Sequence, residues 1–291
     1  KQVHCFSAFS HPIYSLIKGP DTKVFLAGAS QVVGVWNYQT KEAEKMTIAV
    51  QDSIYSLHFS ATDNLLWIGT TKGKVHIIDL NSNKEIYCLE LSKKGIFSII
   101  QVAAKQIIIG TEDGSRWAVD TESFKPIQII DSTAKAIRAI EFSSKYVCIA
   151  ESEGRVRLFA KDNFALKADL QLEGSIYSTC FHPVKAVLLC GGKNGHISAL
   201  QILENGELNH LLSLPAHKQS IYSLSFSPDG TRLLSGSRDK SLKIWDSNTL
   251  DHLCTSLPSQ PLMRSVNSCI WLSNNTIISA GDDGNLRLWH Y

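Results

Sequence analysis

Residues 216–246 read AHKQSIYSLSFSPDGTRLLSGSRDKSLKIWD, and this stretch contains the pattern that organises the whole chain. An aliphatic residue, a variable residue and a small residue (Ile221, Tyr222 and Ser223) open a first apolar run. A second apolar run, a short polar turn and an alternating run follow, each of strand length. Short runs joined by tight polar turns predict antiparallel β-hairpins.

The opening phrase occurs seven times in the 291 residues, at intervals of 39 to 45 residues. Its aliphatic members, which we call the anchors, are Ile13, Ile54, Ile96, Ile137, Ile176, Ile221 and Val266. The variable residues that follow them, which we call the first row, are Tyr14, Tyr55, Phe97, Arg138, Tyr177, Tyr222 and Asn267. A period of this length is typical of a repeat architecture.

Each unit has three strand-like runs, and a fourth follows a polar loop, as in Glu85–Leu89. No segment of similar length keeps a helical period, so we expect an all-β chain. One small sheet cannot bury both of its faces, but radially stacked copies can. The predicted fold is a seven-bladed β-propeller of four-stranded antiparallel blades, a single domain over residues 1–291. Its blades start near residues 11, 52, 94, 135, 174, 217 and 264.

The two ends of the chain complement each other in this fold. The last unit stops after its third strand, at Trp289, and residues 1–9 form a strand-like run before the first unit. We expect this N-terminal strand to complete blade 7 and close the ring, because closure pairs two sheet edges that would otherwise be exposed.

Composition excludes some partners. Lys and Arg number 29 and Asp and Glu 27, a net charge of +2, which gives no field able to gather nucleic acid or a membrane surface. No apolar run reaches the roughly 18–20 residues that span a bilayer, so we expect a soluble protein. The seven cysteines have no CxxC spacing and predict buried free thiols in a reducing, cytoplasmic compartment. We expect no metal site and no cofactor.

The best-marked unit resembles the WD-repeat family, whose repeats of about 40–45 residues carry Gly-His and Trp-Asp marks. The corresponding residues here are Ala216-His217, the segment Ser235–Asp239 and Trp245-Asp246. In that family, four such residues form a buried hydrogen-bonded tetrad within a blade. The resemblance assigns this structural tetrad to His217, Ser235, Asp239 and Trp245.

The resemblance is uneven along the chain. Unit seven keeps Ser279, Asp283 and Trp289 but has Leu262 at the histidine position, and unit one keeps only Trp36. Units two to five have apolar residues at the serine position, namely Ile68, Ile109, Ile149 and Cys190. This predicts that apolar packing replaces the tetrad in those four blades.

The resemblance also implies where partners bind. It places the first row near the mouth of the central channel on the top face, where partner peptides dock. A second row on the same face is the residue before each polar turn: Ala29, Thr71, Glu112, Ser152, Lys193, Arg238 and Asp282. Lys193, Arg238 and Arg138 would form a basic crescent that favours an acidic segment, with Glu112 and Asp282 outside it. Two alternatives stay open: the aromatic first row is a structural plug, and the turn charges are ordinary solvated charges.

The function we expect is a non-enzymatic scaffold that recognises a protein or peptide on its top face, as a monomeric domain within a larger complex. His217 and Asp239 could belong to a catalytic triad, but the tetrad accounts for the same residues. One alternative is a hydrolase or lactonase-like propeller with a metal in its axial channel, although the first row has no carboxylate ligands. The other is a scaffold that uses its side or bottom face.

Overall fold

The computed structural model describes residues 2–44, 48–129, 135–256 and 264–291. Within these ranges the regular structure consists of β-strands, which form seven antiparallel sheets. Six sheets have four strands, and the sheet of blade 1 has five. The all-β prediction is confirmed, and the seven sheets are the blades of a seven-bladed β-propeller. The same residues contain no helix with the length and hydropathy needed to cross a bilayer.

The chain divides into two compact units, which we describe separately. One unit is Ala8–Ile140, and the other combines Lys1–Ser7 with Glu141–Tyr291. We call them the first unit and the second unit. The assignment of residues 1–291 to a single domain stays a prediction.

The first unit contains blades 1 to 3 and the start of blade 4. Blade 1 has β2 (Ile13–Lys18), β3 (Lys23–Gly28), β4 (Val32–Asn37), β5 (Glu42–Ala43) and β6 (Ile48–Ala49). Blade 2 has β7 (Ile54–Ser60), β8 (Leu65–Thr70), β9 (Lys74–Asp79) and β10 (Lys84–Glu90). Blade 3 has β11 (Ile96–Ala103), β12 (Gln106–Thr111), β13 (Arg116–Asp120) and β14 (Pro126–Gln128). Both β5 and β6 pair with β4, so the outer strand of blade 1 is divided into two short pieces.

The second unit contains most of blade 4, blades 5 to 7 and the N-terminal strand. Blade 4 has β15 (Ile137–Phe142), β16 (Tyr146–Glu151), β17 (Arg155–Ala160) and β18 (Leu166–Gln171). Blade 5 has β19 (Ile176–Phe181), β20 (Val187–Gly192), β21 (His196–Ile202) and β22 (Leu208–Pro215). Blade 6 has β23 (Ile221–Phe226), β24 (Arg232–Ser237), β25 (Leu242–Asp246) and β26 (His252–Ser256). Blade 7 has β27 (Ser268–Ser273), β28 (Thr276–Ala280) and β29 (Asn285–His290), followed in the sheet by β1 (Gln2–Ser7).

The N-terminal strand completes blade 7, as predicted. Strand β1 pairs antiparallel with β29, with Cys5 opposite Arg287 and Ser7 opposite Asn285. The edge of β29 is therefore covered by residues from the other end of the sequence.

The cores lie between neighbouring blades. All seven anchors are buried. The anchor Ile54 of blade 2, for example, packs in one cluster with Phe25 and Val35 of blade 1. Blade 2 shares a second cluster with blade 3, so it buries apolar side chains on both faces, which explains its short apolar runs.

The serine two residues after an anchor links neighbouring blades. The Ser56 hydroxyl donates to the carbonyl of Ile96 at 2.9 Å. The Ser223 hydroxyl donates to the carbonyl of Cys269 at 3.2 Å and accepts from the N–H of Cys269 at 3.1 Å. This hydrogen bond supplies a physical reason for the small polar residue in the repeated phrase.

Glycine in the second strand of a blade allows the next blade to approach closely. A Cβ atom on Gly69 would lie 2.7 Å from Cγ2 of the anchor Ile96. A Cβ atom on Gly236 would lie 2.7 Å from Cγ1 of the anchor Val266. Because each anchor is buried and cannot move away, a larger residue at these two positions would separate the blades.

Candidate functional site

The two predicted rows lie at the same edge of a blade. In blade 3 the N–H of Glu112 donates to the carbonyl of Gly95, the residue before the anchor, at 2.8 Å. In blade 6 the N–H of Arg238 makes the equivalent bond to Ser220 at 2.9 Å. These bonds hold the second-row residue beside the start of the first strand of its blade. The first-row residue lies at the same place, because it directly follows the anchor.

In the first unit, four first-row residues form a continuous series of ring contacts, which we call the aromatic strip: Tyr14, Tyr55, Phe97 and Arg138. The ring centroids of Tyr14 and Tyr55 are 5.6 Å apart, and those of Tyr55 and Phe97 are 5.0 Å apart. The guanidinium carbon of Arg138 lies 4.2 Å from the Phe97 ring centroid, a cation–π contact. All four side chains are half-buried, so the strip also presents surface to solvent.

A glycine and a carboxylate support the middle of the aromatic strip. A Cβ atom on Gly95 would lie 2.7 Å from two atoms of the Tyr55 ring, so this ring rests directly on the backbone. The Glu112 carboxylate accepts from the Gly95 N–H at 3.2 Å. Glu112 therefore lies next to the strip and carries a negative charge there.

In the second unit, two of the remaining first-row residues, Tyr222 and Asn267, contact second-row residues. The rings of Tyr177 and Tyr222 meet edge to face, with centroids 5.3 Å apart. Burial raises the pKa of the Tyr222 hydroxyl, and the hydrogen-bonded Arg238 guanidinium acts in the opposite direction. The Asn267 side-chain amide donates to the Asp282 carboxylate at 2.8 Å.

Two members of the predicted basic crescent, Lys193 and Arg238, are both hydrogen-bonded to Ser220 through their backbones. The Ser220 hydroxyl donates to the carbonyl of Lys193 at 3.1 Å, and the Ser220 carbonyl accepts from the N–H of Arg238. Lys193 and Arg238 are both exposed. Arg138, the third member, belongs to the first unit, so its place in a common crescent stays a prediction.

The structure brings together the four residues assigned to the tetrad in blade 6. The Trp245 indole N–H donates to the Ser235 hydroxyl at 2.9 Å. The Ser235 hydroxyl lies 2.7 Å from Nε2 of His217, and His217 Nδ1 lies 3.0 Å from the Asp239 carboxylate. A carboxylate only accepts hydrogen bonds, so His217 Nδ1 donates to Asp239. The four groups therefore form one chain of hydrogen bonds from Trp245 to Asp239.

The environment of the Asp239 carboxylate keeps it ionised. Burial raises its pKa, but hydrogen bonds from His217 and Ser241 outweigh burial and bring the pKa below its usual value. The backbone N–H of Lys218 donates to the same carboxylate at 3.0 Å. Each of these groups is therefore hydrogen-bonded to another member of one network.

Blade 7 has part of the same network. The Trp289 indole N–H donates to the Ser279 hydroxyl at 2.8 Å. The Asp283 carboxylate accepts from the Arg287 guanidinium at 2.6 Å. Arg287 of strand β29 thus donates to Asp283, as His217 donates to the equivalent carboxylate, Asp239, in blade 6. Leu262, at the histidine position of this unit, lies outside the described residues.

Blade 4 differs from the apolar packing expected at its serine position. Ile149 is buried there, and it faces Arg157 in the strand register. Arg157 is 6% exposed, and its Nη1 lies 3.7 Å from the carboxylate of Glu151, which is 1% exposed. Its Nε lies 3.3 Å from the Asp169 carboxylate. A buried ion-pair network therefore occupies this blade.

The tetrad gives a stability prediction. We expect Asp239→Ala and His217→Ala each to lower the free energy of unfolding by roughly 1–3 kcal/mol, because each leaves buried partners unsatisfied. Thermal and denaturant unfolding of the purified chain measure this. Asp229→Ala, in an exposed turn of the same blade, is the matched control with a smaller expected loss. Unchanged stability in both tetrad variants would contradict a contribution from these hydrogen bonds.

The structure also brings together one group of side chains that could hold a metal ion, which the sequence pattern did not reveal. His76, Glu85 and Cys88 in blade 2 each offer one donor atom, and these atoms lie within 4.8 Å of one another. The spacing of these three residues in the sequence matches no short metal-binding motif. They share one face because the register of strand β10 shifts between Glu85 and Tyr87. The nearest sequence signal is a histidine and a cysteine in two adjacent strand-like runs, which alone is weak.

Comparison with known proteins agrees with the repeat marks. The family described as "WD domain, G-beta repeat" (WD40) matches residues 208–246 and 256–290. Two of the seven repeat units match this family model directly, and the seven sheets of the structure agree with its propeller fold.

Curated relatives match parts of the chain. Actin-interacting protein 1 of Caenorhabditis elegans is 27% identical over 52% of this chain and 25% of its own length. The WD repeat-containing protein JIP5 of Coprinopsis cinerea is 31% identical over 42% of this chain and 29% of its own length. Transducin beta-like protein 3 of Bos taurus is 25% identical over 74% of this chain and 29% of its own length. The matched regions thus span between a quarter and a third of each of these relatives.

Proposed function

We propose that the chain is a non-enzymatic scaffold that binds a protein or peptide segment through the first and second rows. The observation that carries this proposal is the aromatic strip. Its three rings and one guanidinium contact one another in series and are half-buried, so they present aromatic and charged surface to solvent. Aromatic residues and arginine are enriched among the residues that dominate binding energy at protein interfaces.

The relatives support the same class of partner. One of them is named as an actin-interacting protein, and the other two are named as a WD repeat-containing protein and a transducin beta-like protein. We transfer to this chain only the general feature, a protein partner.

The charges favour an acidic segment. Arg138 ends the aromatic strip, and Lys193 and Arg238 are exposed in the second unit. A guanidinium stacked on a ring remains able to take a carboxylate in a bidentate pair. The net charge of +2 is too small to favour nucleic acid or a membrane surface instead.

Two observations support a scaffold without catalysis. The first row contains no Asp, Glu, His or Cys that could ligate a metal there. The polar residues His217 and Asp239, which would suggest hydrolysis, are already joined to each other and to Ser235. The seven cysteines are free thiols, which supports a reducing compartment.

The test is partner capture with variants of the two rows. We expect Arg138→Ala, and the double variant Tyr177→Ala with Tyr222→Ala, to weaken binding about 30-fold, as for a hot spot of about 2 kcal/mol. Partners captured by the wild-type chain are identified, and their dissociation constants are then measured for each variant. Binding should also weaken with added salt, because exposed charges are screened.

The matched control is Lys105→Ala. Lys105 is an exposed cation of the first unit in the turn between β11 and β12, at the opposite end of β11 from Phe97. It should leave binding unchanged. Equal affinities of the wild type and the row variants would place the binding surface on the side or bottom face and make the first row a structural plug.

A further inference from the structure

The outer two strands of blade 2 bring three metal-binding side chains to one face. Cys88 on β10 lies directly opposite His76 on β9, and Glu85 lies opposite Ile78. In a regular strand, Glu85 and Cys88 would point to opposite faces, because they are three residues apart. The bulge between Glu85 and Tyr87 adds one residue and returns both side chains to the face of His76.

The donor atoms are close, and one of them is fixed in position. His76 Nδ1 lies 3.3 Å from Oε2 of Glu85, and the Cys88 sulfur completes a group within 4.8 Å. The His76 side chain is 9% exposed, so packing holds the imidazole in place. Glu85 and Cys88 are exposed, so their side chains can adjust. Among the residues that the structure describes, no second group of this kind occurs.

The donor set selects one kind of metal ion. An imidazole nitrogen, a thiolate sulfur and a carboxylate oxygen suit Zn²⁺, whereas Ca²⁺ and Mg²⁺ require oxygen ligands. Zinc–ligand bonds of about 2.0–2.3 Å place tetrahedral donors about 3.3–3.7 Å apart. The distance between His76 Nδ1 and Glu85 Oε2 already has this value. The Cys88 sulfur lies within 4.8 Å of the other two donors, and its exposed side chain has to approach them to share one ion.

The charges around the three donor atoms are compatible with a bound cation. Burial raises the pKa of the Cys88 thiol, Glu85 raises it further, and Lys74 opposes both. The Lys74 ammonium lies 3.5 Å from the Glu90 carboxylate, so it is shared with a second anion. A metal ion that binds here displaces the thiol proton and offsets the Glu85 charge. Residues Glu85–Cys88 line an open depression through which the ion can enter.

We propose that His76, Glu85 and Cys88 form a three-ligand Zn²⁺ site on the outer edge of blade 2. The fourth coordination position faces solvent and is open to water or to a donor from a partner. This site is separate from the two rows and does not depend on the proposed function.

A competing interpretation is a structural pair of His76 and Glu85 alone. His76 faces Ile68 in the register, as Arg157 faces Ile149 in blade 4, where the arginine pairs with carboxylates. That interpretation gives Cys88 no role and predicts no metal binding. The zinc proposal requires the thiol, so a variant of Cys88 separates the two.

The experiment is metal titration of the purified, reduced and chelator-treated chain. We expect one equivalent of Zn²⁺ to bind, measured by competition with a chromophoric chelator. Cys88→Ser and Glu85→Gln should each weaken binding by at least about tenfold. With Co²⁺ as a probe, the thiolate-to-metal charge-transfer band should appear in the wild type and be absent in Cys88→Ser.

The matched control is Cys254→Ser, which removes a partly exposed thiol from β26, the outer strand of blade 6. It should bind Zn²⁺ like the wild type. Circular dichroism and the melting temperature establish that each variant is folded. Binding of less than one equivalent by the folded wild type, or equal Zn²⁺ affinity of the wild type and Cys88→Ser, would overturn the proposal.

Discussion

A chain that lacks residues 1–9 should melt at a lower temperature than the full chain and associate into larger species. Strand β1 covers the edge of β29, and its removal leaves the backbone groups of that edge unpaired. An exposed edge strand is a template for pairing with another molecule. The deletion also removes the partly buried Phe6 and Phe9, and the Phe9 ring approaches the backbone at Gly34. Fully burying one phenylalanine stabilises a protein by about 1.5–3 kcal/mol, so two partly buried rings together with the lost strand pairing should cost about 3 kcal/mol.

Calorimetry and size-exclusion chromatography with light scattering measure this result. A loss of about 3 kcal/mol corresponds to a fall in melting temperature of roughly 6–12 °C for a chain of this size. The control is a synthetic peptide of residues 1–9 added to the truncated chain, which should restore both the melting temperature and the monomer. A truncated chain that is monomeric with the melting temperature of the full chain would show that β1 contributes nothing to closure.

The repeated phrase predicts the blades well because each of its members has a local physical role. The anchors are apolar since they are buried between blades, and the serine two residues later, as at Ser56, bonds to the next blade. Gly73 and Gly195 lie in polar turns and have positive φ. The sequence reveals such turns because it shows a glycine after a polar residue. These features depend on residues near each other in sequence, so spacing alone reveals them.

Features that depend on strand register were not predictable. The bulge in β10 decides that Glu85 and Cys88 share a face, and period-two reasoning assigns them to opposite faces. Blade 4 gives a similar case, because the apolar Ile149 at the serine position suggested apolar packing. The register places Arg157 opposite Ile149 and Asp169 opposite Arg157, which assembles the ion pairs. Side-chain contacts between blades, such as that of Arg138 with Phe97, likewise come from tertiary packing.

We expect the second large effect on the free energy of unfolding from the ion pairs of blade 4. Replacing Arg157 by leucine should lower the free energy of unfolding by about 3–5 kcal/mol, because the Glu151 carboxylate is left buried without its guanidinium. Arg155, two residues earlier, is the matched control. It makes two hydrogen bonds of 2.6 Å to Asp169, but it lies at the surface, so Arg155→Ala should cost much less stability than Arg157→Leu. Urea unfolding of the single variants measures both.

A double-mutant cycle separates the ion pair from simple packing loss. If the cost of Arg157→Leu arises from an uncompensated charge, adding Glu151→Leu removes that charge and should recover part of the lost stability. If the cost arises from lost contacts of the arginine stem, the second substitution should add a further loss, since Glu151 is itself buried. A double variant more stable than Arg157→Leu alone therefore supports the charge argument. A double variant that is less stable contradicts it, because each half of a buried ion pair is costly chiefly when the other half remains.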